Sequence, residues 1–417
     1  MTIRSHPLRS ALSEEMHVRR LPRFAAPCRL LQIVSLLGED PAGLARVHIA
    51  LLTAAAHTLV PASGRYAVLD LDGVTLVWER HTEFATYTLL RPGAFDAPFD
   101  PALFEPVQST ILADMPGEII RATQLAFIDA RHPDPASADL ERWFESEAMI
   151  VCDVADGLAT VTSDFRLHED GYGRLLVLDR GLQRDEPAQL LLRLQELGNY
   201  RNMALLGLPL AQRLTPAVTG LEARLAGLTH DVSERASEDD RLLDELTFLS
   251  AELARLLAET HYRMSATRAY GQLSIDRLAS LKIGAVRGYQ TLADFTERRL
   301  TPALRTCESF SARLDDLSQR ASWTSELLRT RIDIALAKQN RDLLSSMDRR
   351  TRMQLRLQQT VEGLSVVAIS YYLVALLNYL FGALSGHDHA VAMTAAVPAV
   401  LIIVALSIWR LRRHTTE

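Results

Sequence analysis

The stretch from Gly363 to Gly386, GLSVVAISYYLVALLNYLFGALSG, holds no Asp, Glu, Lys, Arg or His in 24 residues. At 1.5 Å per residue a helix of that length reaches about 36 Å, enough to cross a bilayer. After Ser385-Gly386-His387-Asp388-His389 comes a second uncharged run, Ala390 to Trp409, AVAMTAAVPAVLIIVALSIW, whose 20 residues reach about 30 Å. Pro398 would break a helix in water, but helices in lipid tolerate proline because neighbouring groups satisfy the freed carbonyl. The pattern reads as a transmembrane hairpin with spans 363–386 and 390–409 joined by a very short turn.

Arginines flank the pair. Arg349, Arg350, Arg352 and Arg356 precede the first span, and Arg410, Arg412 and Arg413 follow the second. The positive-inside rule then puts both ends, the tail 410–417 included, in the cytoplasm and the SGHDH turn outside. The first 20 residues lack the apolar core of a signal peptide. The expected location is the bacterial inner membrane, with the bulk of the chain cytoplasmic and the lipid bilayer as a partner.

Between Ala303 and Glu362 there is neither Gly nor Pro. That predicts a helix running into the first span as a stalk. Leu328, Ile332, Ala335, Gln339, Leu343 and Met347 form a stripe at three- and four-residue steps, suited to a seam or coiled coil with another helix of the same chain or of a second subunit. Residues 186–362 read as a helical bundle and stalk, punctuated at Gly207-Leu208-Pro209 and Thr215-Pro216 and polar from Thr229 to Asp240.

Residues 1–185 carry the strand signals and read as an α+β or α/β domain. Arg29 to Leu37, Tyr66 to Leu71, Val74 to His81, Glu83 to Leu90, Ile119 to Ile128, Met149 to Val154 and Leu175 to Leu178 are the candidate strands. Ala45 to Val60, Pro101 to Gln108 and Ala138 to Glu147 are the candidate helices.

Composition sets the outer limits. A chain of 417 residues allows two or three units, and 48% hydrophobic with 23% charged residues excludes a disordered or disulfide-stapled chain. A formal net charge of −6 does not suit a nucleic-acid partner. Cys28, Cys152 and Cys307 stand far apart without zinc-ligand spacing, as in a reducing cytoplasm. No phosphate loop, dinucleotide fingerprint, HExxH or GxSxG string is present, and Lys282 and Lys338 are the only two lysines.

Four strings carry a family likeness: His6-Pro7-Leu8-Arg9 with Glu15-Met16-His17-Val18-Arg19; Trp78-Glu79-Arg80-His81-Thr82-Glu83-Phe84; Tyr200 to Leu206; and Leu357 to Ser365. They resemble a bacterial family of uncharacterised membrane-anchored proteins, with His17-Val18-Arg19-Arg20 where that family usually has His-Ala-Arg-Pro. The order of elements also resembles CorA-type magnesium channels, although Leu377-Asn378-Tyr379-Leu380 stands where those channels carry Gly-Met-Asn. What this second likeness implies is a homo-oligomer that moves a divalent cation. The alternative is a non-conducting membrane-tethered scaffold or sensor with a ligand- or partner-binding cytoplasmic domain.

The candidate residues follow from these readings. Thr360, Tyr371, Asn378 and Gly382 share one side of the first span and would line a pore in a ring of subunits. The same small and polar stripe would also serve helix packing. His387, Asp388 and His389 would gather cations at the outer mouth, or form a polar turn. Glu79, His81 and Glu83 alternate along a strand, so one face would present all three, to a metal or to solvent and neighbouring arginines. His6, Glu15 and His17 would be further ligands. Leu69-Asp70-Leu71-Asp72-Gly73 resembles the nucleophile string of haloacid-dehalogenase-like phosphatases, but the strand-like Val74 to His81 makes Asp72-Gly73 a hairpin turn, and no enzyme is expected.

Overall fold

A computed structural model describes residues 5–9, 12–13, 21–38, 42–60, 65–129, 137–234, 239–384, 394, 397–406 and 409. The chain divides into two compact units, Met1–Trp323 and Thr324–Glu417.

The first unit is α+β and is built on one mixed sheet. Its strands are β1 (Cys28–Leu36), β2 (His57–Val60), β3 (Tyr66–Leu71), β4 (Val74–Arg80), β5 (Phe84–Pro92), β6 (Glu118–Asp129), β7 (Ile150–Val154), β8 (Ala159–Ser163), β9 (Gly173–Asp179) and β10 (Gly284–Ala285). They lie in the order β10-β7-β8-β9-β6-β1-β5-β4-β3-β2. The β6–β9 pair is parallel and the other paired strands run antiparallel. The helices of this unit are α1 (Gly43–Ala55), α2 (Glu105–Leu112), α3 (Ser137–Trp143), α4 (Glu186–Leu205), α5 (Gly207–Glu234), α6 (Asp239–Ser280) and the start of α7 (Leu292–Leu384).

Because side chains alternate along a strand, each strand feeds two cores. Leu31 and Ile33 of β1, Leu76 and Trp78 of β4, and Tyr87 and Leu89 of β5 pack with Ala45, Ile49 and Leu52 of α1 and Val107 and Ile111 of α2. On the other face Leu30, Val77, Leu90, Leu125, Phe127 and Val177 meet Leu190, Leu191, Leu194 and Leu197 of α4. Helix α4 packs against α6 as well as the sheet, so it is buried nearly all round, including Gln195, Glu196 and Asn199. Leu300, Ala303, Cys307, Phe310, Leu314 and Leu317 give α7 a buried stripe spaced by three and four within the first unit. There Arg313 forks onto Glu222 of α5 at 2.7 and 3.0 Å.

Most strands fall where the alternation puts them. The exceptions have local causes. The expected helix Ala45 to Val60 stops at Ala55, and His57–Val60, with β-branched Thr58 and Val60, pairs with β3 as β2. Short β8 and two-residue β10 carry too few apolar positions to stand out. The long helix begins at Leu292, upstream of Ala303, and passes through Pro302. The sheet and α4 to α6 share one compact unit.

The second unit contains α7 from Thr324 onward and α8 (Val397–Leu406). In the expected stripe Leu328 is buried, whereas Leu343 and Met347 are exposed. Among the described residues α7 is the one helix long and apolar enough to cross a membrane, and none of its apolar window is buried. The second apolar run contributes the short α8, and its other residues lie largely outside the described ones, so a two-helix hairpin is not established by the fold.

Candidate functional site

The α4-facing side of the sheet turns polar toward one end. Gln32, Glu79, Thr86, Thr88, Arg121 and Thr123 stand where the apolar positions of β1, β4, β5 and β6 would continue. The register of β1 on β6 slips between Val34, opposite Arg121, and Ser35, opposite Ile119. Ile120 is therefore an extra residue, a bulge that re-aims its neighbours. At the entry to β6, Gly117 has φ +83°, and a Cβ there would sit 2.1 Å from the Leu36 carbonyl oxygen. Only glycine allows that approach.

Arg121 lies enclosed between sheet and helix. Its Nη1 donates to Gln32 Oε1 at 2.9 Å, Gln195 Oε1 at 2.7 Å and Asn199 Oδ1 at 2.9 Å. Gln32 is held in turn by its Nε2, which donates to Thr88 Oγ1 at 3.0 Å. All three acceptors on Arg121 are neutral amides, and among the described residues no carboxylate pairs with it. Gly198 brings α4 against the guanidinium, since a Cβ there would lie 2.7 Å from Cζ. Burial, with the nearby Arg201 adding to it, pushes the Arg121 pKa down to about 9.

Arg201, one turn further along α4, lies 4.6 Å over the Phe165 ring. Phe165 stacks on Phe295 of α7 at 4.7 Å, and Arg299 covers Phe295 at 4.2 Å. Burial first and Arg299 second lower the Arg201 pKa to about 10. Among the described residues Arg201 has no hydrogen-bond or ion-pair partner.

These two arginines open onto a cavity of about 210 Å³ bounded by Thr123, Ser163, Phe165 and Asn202. Its origin is topological. The parallel pairing of β9 with β6 begins only at Thr123 opposite Gly173, so the space beside Arg121 is closed by residues 164–172 instead of a strand. Phe165 holds φ +51°, which side-chain-bearing residues seldom adopt. The buried Asp164 fixes this segment by accepting from the Glu145 and Arg166 amides at 3.0 and 3.1 Å and lying 3.1 Å from His168 Nε2. Arg166 is engaged by Glu145 at 2.5 Å and Arg174 by Asp170 at 3.0 Å.

The residues singled out in the sequence are distributed differently. Glu79 Oε1 and His81 Nε2 approach to 3.6 Å beside a much smaller cavity of about 20 Å³ that also touches Gln195, Glu196 and Asn199. The His81 ring stacks on Phe84 at 4.1 Å. Glu83 turns away and pairs with Arg263 of α6, where, after burial, its charge helps raise the Tyr262 and Tyr270 pKa values. Glu79 and His81 thus come together and Glu83 does not join them. Among the described residues no group of three or more His, Cys, Asp or Glu could hold a metal ion. His6 is exposed, its Nδ1 accepting from the Leu8 amide at 3.2 Å, and Glu15 and His17 lie outside the described residues. Asp72 and Gly73, both at positive φ, make the β3–β4 hairpin, and Asp70 accepts from the Gly73 amide at 3.0 Å. Tyr371 and Asn378 are exposed on α7, Thr360 donates to the Arg356 carbonyl at 2.8 Å, and Gly382 lies in the last turn of α7. His387, Asp388 and His389 fall outside the described residues. All three cysteines are buried and free, and burial drives the Cys28 thiol up to about 12.

Sequence reasoning missed Arg121, Gln195 and Asn199, and used Arg201 only as part of a family string. The available signal was a lone arginine inside the apolar run Ile119-Ile120-Arg121-Ala122, followed by two amides four residues apart on an otherwise leucine-rich helix face.

Fold and site define an α+β protein with an arginine-lined cavity under a buried helix and a long C-terminal helix with an exposed apolar stretch. The chain belongs to the DUF3422 family, proteins of unknown function, whose family model matches residues 4–415. No curated protein matches it.

Proposed function

We propose that the protein is a non-conducting membrane-tethered sensor or scaffold, with α7 and the following apolar run as a transmembrane hairpin and the α+β unit in the cytoplasm of a bacterial cell. The observation that carries this reading is the apolar window of α7, long enough to span and with none of its residues buried. A continuous apolar helix surface left in water is unfavourable by roughly 25 cal/mol per Å², and a bilayer removes that penalty. The arginines before Gly363 and after Trp409 support the inside placement of both ends. A tether needs only the span itself, whereas a conducting path would need a ring of subunits.

Alkaline carbonate extraction of cells making the full-length protein should leave it in the membrane pellet. A reporter after Glu417 should behave as cytoplasmic and one between Gly386 and His387 as periplasmic. Recovery in the soluble fraction would overturn the tether. Reconstituted vesicles should show no uptake of magnesium, cobalt, nickel or zinc. Uptake slowed by Asn378→Leu would replace the tether with a homo-oligomeric divalent-cation channel lined by the Asn378 side of the span.

A further inference from the structure

We infer that the cavity between β6, α4 and residues 164–172 binds a compact dianion of the phosphate type, gripped by Arg121 and Arg201. Three independent features converge on it. The first is unspent hydrogen-bonding capacity. A guanidinium carries five N–H donors. Arg121 uses only Nη1, and Arg201 donates to nothing among the described residues. Both border the same cavity.

The second is charge. Burial first, and then the like charge of Arg201 beside Arg121 and of Arg299 beside Arg201, disfavour the charged forms of Arg121 and Arg201. A buried cation without a counter-ion is costly, and the acceptors beside Arg121 are neutral. An anion in the cavity would supply the missing charge for both forks, and arginine's planar fork suits phosphate oxygens. The carboxylates on and beside the segment that closes the cavity are committed elsewhere: Asp164 to two amides and His168, Glu145 to Arg166, and Asp170 to Arg174.

The third is positioning and size. Phe165 between Arg201 and Phe295 fixes the Arg201 plane, and Gln32, Gln195 and Asn199 fix that of Arg121. Such preset geometry is what a recognition site requires. A cavity of about 210 Å³ is below the usual ~300–1,000 Å³ of sites for drug-sized ligands, which favours a phosphate group with at most a small substituent.

Soluble phosphate and a phosphomonoester lipid headgroup offer the same chemistry, and one experiment separates them. The full-length protein in a neutral detergent is titrated with inorganic phosphate, with chloride, and with micelles containing phosphatidic acid, following heat of binding and thermal midpoint. Phosphate or phosphatidic acid should bind and raise the midpoint, while chloride at equal ionic strength should not. A response to phosphate identifies a soluble ligand, and a response confined to phosphatidic acid identifies a headgroup. Arg201→Gln leaves no protein acceptor unsatisfied, so it should fold, and it should weaken binding roughly tenfold or more. Arg213→Gln, on the bundle surface paired with Glu259 at 3.3 Å, should bind as wild type. Absence of binding by both phosphate and phosphatidic acid, or binding indifferent to Arg201→Gln, would overturn the site. Membrane extraction reads the tether separately, so either idea can fail alone.

Discussion

The two faces of the sheet are made by the same strands and do different things. One residue apart on β1, Leu31 and Ile33 enter an apolar core under α1 and α2, while Gln32 enters a polar layer under α4. On β4 the same holds for Trp78 and Glu79. The first face needs only volume and shape, which many apolar sets can satisfy. The second needs each donor and acceptor to meet a partner, which few sequences satisfy, and it leaves two arginine forks unspent. The face that is harder to build is the one with chemical capacity.

The sharpest break in this contrast is Trp78→Ala. Trp78 is wholly buried on the apolar face, and its truncation should destabilise by about 3–5 kcal/mol, read as a lower urea midpoint of the full-length protein in detergent. If phosphate binding by the folded fraction fell as much as stability, the two faces would not be separable.

Gly198→Ala tests the polar face. Its Cβ would press on the Arg121 guanidinium, which three hydrogen bonds hold in place. Overpacking of about 1–3 kcal/mol less the helix-propensity gain of ~1 kcal/mol leaves a net loss of about 1 kcal/mol, accompanied by weaker phosphate binding. A variant as stable as wild type with unchanged binding would show that α4 can shift without disturbing Arg121.

The smallest effect is a pH dependence on the apolar face. Burial lowers the His48 pKa, and its Nδ1 lies 2.9 Å from the Tyr87 hydroxyl. With the folded pKa below the unfolded ~6.5, the unfolded chain takes up the proton first. The His48 contribution is therefore present above about pH 6.5 and lost as pH falls from there through the folded value. His48→Phe should flatten that part of the stability profile, measured as thermal midpoint against pH. An unchanged acid limb would assign it to other groups.

Strand positions were legible because apolar alternation survives in single residues: Tyr66 to Leu71 coincides with β3. The Asp72-Gly73 turn was legible because both residues tolerate positive φ. Glu79 and His81 were legible as a pair on one face, but Glu83 was not separable from them by alternation. Its direction depends on Arg263, which is 180 residues away in sequence. The arginine cavity was illegible for the same reason: Arg121 on β6, Gln195 and Asn199 on α4, and Phe165 ahead of β9 are far apart in sequence and are brought together by the bulge at Ile120 and the late start of β9.

By itself the sequence determined the uncharged run from Gly363, the flanking arginines, the alternating strands and the leucine-spaced helices. These are local patterns, and the backbone period converts them directly into elements. Only the tertiary structure decided that α4 lies on the polar end of the sheet, that Gly198 admits Arg121, and that Arg201 and Arg121 share one cavity. Charge without a counter-charge is a property of distances through space, and no spacing along the chain encodes it.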